Sequence, residues 1–262
     1  MLLADKVVVV SGIGPGLGVK LAVEAARAGA RAVVVAARTP AKLDDAENRI
    51  RAVRPECEVL KMATDIVDRA QCKRLVEAAI ERFGRIDALI NSAYCHGAFE
   101  PVSTCDLENW RPVFETNIFG SMTLTQEVIP QMKQQGGGAI LFINTQATRR
   151  PFAGEGAYAA SKGALKVLAA YLAGEVGPHG IRVNTLLPGW MWGEPVQGYV
   201  RQTAAQNGVG EEQIAAGIAA NFALRRIVSD DEVARSAMML ISDYATALTG
   251  ATLDANGGDF LP

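Results

Sequence analysis

Tyr158 and Lys162 stand four residues apart in a stretch whose spacing predicts a helix from Ala157 to Val176. On a helix that separation puts both side chains on one face, so a phenol and an ammonium can enter the same cleft. A free tyrosine, with a pKa of about 10, is a poor base at neutral pH. A nearby cation favours the phenolate and makes the phenol a usable proton donor and acceptor. Ahead of the helix, Ala139–Asn144 reads as a buried strand, followed by a loop from Thr145 to Glu155. Thr145, at the strand's end, can offer a hydroxyl from the other side. Together these groups could move a proton on or off an alcohol oxygen. A tyrosine and a lysine at this spacing are often only surface neighbours, so the reading depends on the rest of the chain.

The elements around them predict a partner for that chemistry. Lys6–Val10 is a short β-branched run, as a buried parallel strand requires. A glycine-rich turn with Gly12, Gly16, Leu17 and Gly18 follows, then helical spacing from Leu17 to Ala28. Strand, glycine turn and helix in that order suit a dinucleotide: glycines let the backbone approach the pyrophosphate, and the helix end supplies N–H groups. The spacing is G-x-x-x-G-x-G, not G-x-G-x-x-G, because position 17 is leucine. A plain turn closing a βα unit is the competing explanation.

The second strand, Arg31–Ala37, ends without the carboxylate that would bind a ribose 2′-hydroxyl, and Arg38 follows it. An arginine there can pair with a 2′-phosphate, which favours NADP(H), with NAD(H) the alternative. The glycine loop offers no second basic residue, and Arg38 could equally be a surface charge stacked on the adenine. Asp65, after a third strand at Cys57–Met62, could accept from the adenine amine, cap the next helix, or do both. Helices are expected at 40–53 and 68–83, a strand at Ile86–Ile90 leading to Asn91, and one long helix at 106–133 with Asn117 near its middle. Asparagine is a poor interior helix residue, so a buried Asn117 must satisfy its amide through a water-holding kink or through neighbouring backbone.

A sixth strand, Ile181–Leu187, precedes Pro188 and Gly189. Trp190, Met191, Trp192 and Tyr199 then cluster just past a strand's carboxyl end, where open α/β sheets bind ligands. Residues 190–222 are read as a lid excursion from the domain, with plain packing as the alternative. A helix at 230–242 and a strand at 252–254 complete the chain. Strands alternating with helices predict a single-domain α/β fold, a doubly wound parallel sheet over 1–262.

Composition bounds the function. A chain of 262 residues, 49% hydrophobic and 21% charged with a net charge of −2, describes a globular protein with no nucleic-acid footprint. No apolar run is long enough to span a membrane, and Met1–Lys6 is too short and polar for a secretory signal. Four cysteines without CxxC pairing read as reduced thiols, hence a cytoplasmic location. No metal site is expected: Cys95 beside His96 could form a ligand or nucleophile pair, but with two histidines in the chain they are read as lining residues.

Together the motifs resemble the short-chain dehydrogenase/reductase family over nearly the whole chain, and so imply a Rossmann-type fold. Its T-G-x-x-x-G-x-G stands here as Ser11-Gly12…Gly16-Leu17-Gly18, its N-N-A-G as Asn91-Ser92-Ala93-Tyr94, and its Y-x-x-x-K as Tyr158 and Lys162. Its P-G is Pro188-Gly189, its catalytic serine falls on Thr145, thirteen residues before Tyr158, and its helix asparagine on Asn117. The resemblance implies hydride exchange between a nicotinamide and a secondary alcohol or ketone. In it Tyr158 exchanges the proton, Lys162 lowers its pKa and bonds the nicotinamide ribose, Thr145 orients the substrate oxygen, and Asn117 holds a relay water. It also implies that Gly12, Gly16 and Gly18 admit the pyrophosphate and that Asn91 packs near the adenosine ribose.

Three departures stand out. Thr145 adds a methyl that narrows the pocket or restricts a rotamer. Tyr94 replaces a glycine and, with His96, Trp190 and Trp192, is expected on the substrate side, which suits an apolar or ring-bearing small molecule. Gly193 stands where a threonine would bond the nicotinamide carboxamide, so that contact must come from elsewhere or from backbone. The helix 157–176 is apolar almost all round, which predicts burial against a second subunit in a homodimer or homotetramer, or beneath the chain's own lid. A catalytically silent nucleotide-binding regulator or scaffold on this fold is the alternative function.

Overall fold

Successive side chains of a strand point to opposite faces of its sheet. In β1 (Val7–Ser11) both sets are apolar: Val8 and Val10 enter one core cluster, Val7 and Val9 the other. The strand is therefore buried on both sides, as in a parallel sheet covered by helices. The computed structural model, which describes residues 1–261, repeats this pattern in β2 (Ala32–Ala37), β4 (Ala88–Asn91), β5 (Gly138–Ile143) and β6 (Ile181–Pro188), while the edge strands β3 (Glu58–Ala63) and β7 (Thr252–Ala255) are only partly buried. The seven strands form one sheet in the order β3-β2-β1-β4-β5-β6-β7, every neighbouring pair parallel.

The helices are α1 (Leu17–Arg27), α2 (Pro40–Val53), α3 (Arg69–Phe83), α4 (Arg111–Phe114), α5 (Ser121–Gln134), α6 (Gly156–Val176), α7 (Glu194–Asn207), α8 (Glu211–Ala219) and α9 (Asp230–Ile241). Helices α1, α2 and α9 bury their apolar stripes against one face, with Val33, Leu141 and Leu186 of the sheet. Helices α3, α5 and α6 cover the other, with Val34, Leu89 and Phe142. This is the doubly wound, Rossmann-type sheet. The chain winds outward from β1 in one direction and from β4 in the other, and Ser11 of β1 lies opposite both Ala36 and Asn91. The loops leaving β1 and β4 therefore diverge and open a crevice at the strands' carboxyl ends.

Two expectations need correction. The helix expected at 106–133 is a 3-10 turn (Leu107–Trp110), α4, a π-helical stretch (Glu115–Gly120) and α5. The wide turn coincides with Asn117, whose amide is held by groups outside its own helix, a setting in which π-bulges arise. The next helix after Asp65 is capped by Asp68, whose carboxylate accepts from the Ala70 and Gln71 amides, while Asp65 accepts from the Val67 amide. The 190–222 excursion contains α7 and α8, and Met191 ahead of them pairs with Val228 in a single parallel bridge.

Candidate active site

The end of β5 and the first turns of α6 are tied together by Asn144. Its amide donates to the Lys162 carbonyl (2.8 Å) and its oxygen accepts from the Thr145 amide (2.9 Å). That fixes where Thr145 and Lys162 sit relative to each other. Thr145 has extended backbone, and its hydroxyl accepts from the Ala147 amide (3.2 Å), capping a 3-10 turn. Tyr158 and Thr145 face the same crevice. Burial pushes the Tyr158 phenol well above its ordinary pKa, with Tyr94 and Glu155 adding to the effect and the Thr145 hydroxyl opposing it.

Lys162 is fully buried, and its ammonium donates to the Ile143 carbonyl (2.8 Å). Burial lowers its pKa to about 7. A buried ammonium needs an acceptor, and the Ile143 carbonyl supplies one. Asn117 is likewise committed to protein. Its oxygen accepts from the Cys95 amide (2.7 Å), and its N–H groups donate to the Cys95 carbonyl and the Ser161 hydroxyl (2.9 Å each). It ties the loop after β4 to α6, and Thr116 beside it lines the cavity in its place.

The cavity, about 910 Å³, runs from this strip across the glycine turn to the end of β2. Gly12 has φ +87°, and a Cβ there would collide with the backbone of Ala93. A Cβ on Gly18 would collide with the Gly12 carbonyl. These two glycines let the turn fold tightly onto β4 and α1. Gly14 faces open space instead, and Gly16 meets only an Asp230 carboxylate oxygen, at 4.0 Å, so an elongated ligand can lie against their backbone. The α1 N-terminus, at Gly16, has no side-chain cap, which leaves its N–H groups available to an anion. Leu17 lines the turn, and Pro188 and Gly189 form the opposite wall.

At the far end lie Arg38, Thr39, Asp65 and Lys42. Lys42, in the first turn of α2, supplies the second basic residue that the glycine loop lacks. Asn91 is not on the cavity wall. Its amide donates to the Thr125 hydroxyl (3.0 Å), because the β4 terminus directs the side chain onto α5.

On the substrate side, His96 stacks between Tyr158 and Phe99 at 4.7 and 4.4 Å between ring centroids. Its Nε2 lies 3.6 Å from the Glu155 carboxylate, which holds the imidazole pKa up. Tyr94 tilts against Tyr158 at 6.0 Å, and Trp190 packs on Tyr199 at 5.6 Å. Trp192 turns away from the cavity onto the Ala215–Ala219 and Arg225–Ile227 surface, so of the two expected tryptophans only Trp190 lines the site. Glu155, Phe99 and Asp230 line it without having been singled out in the sequence. Glu155 stands three before Tyr158, which helical spacing could have revealed; Asp230 arrives from a distant helix and left no local signal.

Comparison with known proteins adds to this geometry. Residues 6–205 match the family model for short chain dehydrogenase. The short chain dehydrogenase/reductase astE of Aspergillus oryzae is 32% identical over 261 residues, covering 98% of this chain and 95% of that protein. The structure of L-sorbose reductase from Gluconobacter frateurii, complexed with NADPH and L-sorbose, is similar with a TM-score of 0.91 at 27% identity, covering 100% of this chain and 99% of that one. An NAD+-bound xylitol dehydrogenase is similar with a TM-score of 0.88 at 27% identity, covering 98% and 100%.

Proposed function

The chain belongs to the short-chain dehydrogenase family, and from that premise we propose that it is an NADP(H)-preferring oxidoreductase acting on a secondary alcohol or ketone. The observation that carries the reading is one cavity that joins Tyr158, Thr145 and buried Lys162 to the glycine turn. The turn fits a dinucleotide: Gly14 faces open space and nothing stands closer than 4.0 Å to a Cβ on Gly16, where the uncapped end of α1 presents its N–H groups. A nicotinamide dinucleotide held in this cavity would supply the hydride chemistry. Gly12, Gly16, Leu17 and Gly18 would receive the pyrophosphate, and Lys162, Pro188 and Gly189 the nicotinamide half.

The chain's own residues handle the proton. Tyr158 exchanges it with the substrate oxygen. Thr145 offers its hydroxyl to the same oxygen and stabilises the charge that develops there. Asn117 is a positioning residue, holding α6 and the Cys95 loop in place. Tyr94, His96, Phe99 and Trp190 give an aromatic wall suited to an apolar or ring-bearing substrate. A silent regulator is not favoured, because such a role has no use for these proton-transfer groups on the cavity wall.

The preference for NADP(H) over NAD(H) rests on Arg38 and Lys42 at the adenosine end, where two cations can meet a 2′-phosphate. The proposal extends to a homodimer or homotetramer, since Val167, Leu168 and Tyr171 of α6 lie exposed and the lid helices do not cover them. A cytoplasmic setting accords with four unpaired thiols, at Cys57, Cys72, Cys95 and Cys105, and no helix among the described residues is long and apolar enough to cross a membrane.

Tyr158→Phe tests the function. Turnover of ketones or alcohols by the wild type should fall roughly 10²- to 10⁴-fold in the variant, the usual contribution of a general acid–base. Nucleotide binding, followed by nicotinamide fluorescence, should be retained. Full activity in the variant overturns the assignment.

A further inference from the structure

Asp230, the first residue of α9, is 5% exposed and lines the cavity. Its carboxylate occupies the space above Gly193: a Cβ on that glycine would overlap both carboxylate oxygens. One of those oxygens also lies 4.0 Å from the place a Cβ on Gly16 would take. The carboxylate makes no hydrogen bond or ion pair among the described residues. Lys20, the nearest cation, is bonded to Asp231 instead (2.9 Å). Ser229 and Glu232 close the capping box of α9 between themselves, and Arg226 pairs with Glu232. Burial raises the Asp230 pKa, with Lys20 opposing and Asp231 reinforcing. The carboxylate therefore faces the cavity with no donor from the protein, where a ligand's N–H can meet it.

We infer that Asp230 accepts a hydrogen bond from the carboxamide N–H2 of the nicotinamide, and that position 193 is glycine to leave room for its carboxylate. The inference rests on the cofactor reading above. Gly193 follows Pro188 and Gly189 in the loop leaving β6, and all three line the cavity together with Tyr158 and Lys162; the Asp230 carboxylate meets Gly193 and reaches the edge of the glycine turn at Gly16. The adenine amine would lie at the other end, beyond Arg38 and Asp65. The pyrophosphate has no proton to donate to a carboxylate, and the ribose hydroxyls are answered by Lys162. The carboxamide is the remaining donor, and a bond to it fixes which face of the ring is turned toward Thr145 and Tyr158. Asp230 is thus a positioning residue for the cofactor. It supplies from α9 the contact that a side chain at 193 would otherwise make.

The test compares binding of NADPH with its reduced 3-acetylpyridine analogue, in which a methyl replaces the carboxamide nitrogen, by calorimetric titration. Wild-type protein should bind the analogue roughly 10- to 100-fold more weakly, the range for one hydrogen bond to a charged group. Asp230→Ala should bind NADPH more weakly by a similar factor and should no longer distinguish the two. Asp230→Asn, which keeps a carbonyl acceptor, should restore part of the discrimination. Gly193→Ala should behave like Asp230→Ala, because its Cβ displaces the carboxylate. If Asp230→Ala and Gly193→Ala keep the wild-type ratio of affinities, the inference fails while the cofactor reading stands. A wild-type protein that binds neither dinucleotide overturns both.

Discussion

At the scale of single residues, burial governs the chemistry more than sequence spacing does. The four-residue interval puts Tyr158 and Lys162 on one helix face, but it does not say where each head group finds its partner. The ammonium goes to the Ile143 carbonyl, and the phenol is left beside Thr145 and the aromatic residues. Arg38 shows the opposite case. It is exposed at the cavity's edge, so its contribution depends on the ligand rather than on packing. Replacing Arg38 with Leu should weaken NADPH binding roughly 10- to 100-fold, as for the loss of one charged hydrogen bond, and leave NADH binding nearly unchanged. Fluorescence titration of both nucleotides measures the ratio. An equal loss for the two would mean that Arg38 does not read the phosphate.

At the scale of elements, helix termini set the site. Asn144 joins β5 to α6, and the capping box of Ser229 and Glu232 starts α9 where Asp230 must be presented. The Glu232 pKa falls to about 2, chiefly through its bond to Arg226 and then through the Ser229 amide. A carboxylate whose folded pKa is depressed stabilises fully above its unfolded value, and that contribution disappears as pH falls toward the folded pKa. The midpoint of thermal unfolding of wild type should therefore exceed that of Glu232→Gln at pH 7. The gap should shrink between pH 4.5 and 2 and close near the lower end. A gap that persists undiminished at pH 2 would show that the charge of Glu232 is not what stabilises α9.

At the scale of the molecule, the parallel sheet places every functional loop at one edge, the carboxyl ends of its strands. It also leaves one face of α6 without cover. Tyr171 is 71% exposed and Val167 55% exposed, while Leu165, Ala169 and Leu172 of the same helix are buried against the sheet. Large apolar side chains grouped on one helix face mark an association surface. Sedimentation velocity should find the wild-type protein oligomeric, and a Val167→Glu, Tyr171→Glu double variant should shift it toward monomer. A monomeric wild type would sink the proposal.

How much of this was legible in the sequence follows from the range of the forces involved. Apolar strand runs alternating with helical spacing determined the seven parallel strands and their order of appearance, since each pattern depends on neighbours within a few residues. The glycine turn and the Tyr158–Lys162 pair were readable for the same reason: their geometry is set locally, by backbone clearance and by helical pitch. Tertiary structure alone decided that Lys162 bonds Ile143, that Asn117 spends its amide on Cys95 and Ser161, and that Asn91 and Trp192 face away from the cavity. It also decided that Asp230, thirty-seven positions beyond Gly193, fills the space a side chain there would need. These partners are distant in sequence and meet only because packing brings them together. Where a buried polar group finds its hydrogen bond is a property of the assembled core, not of any one stretch of chain.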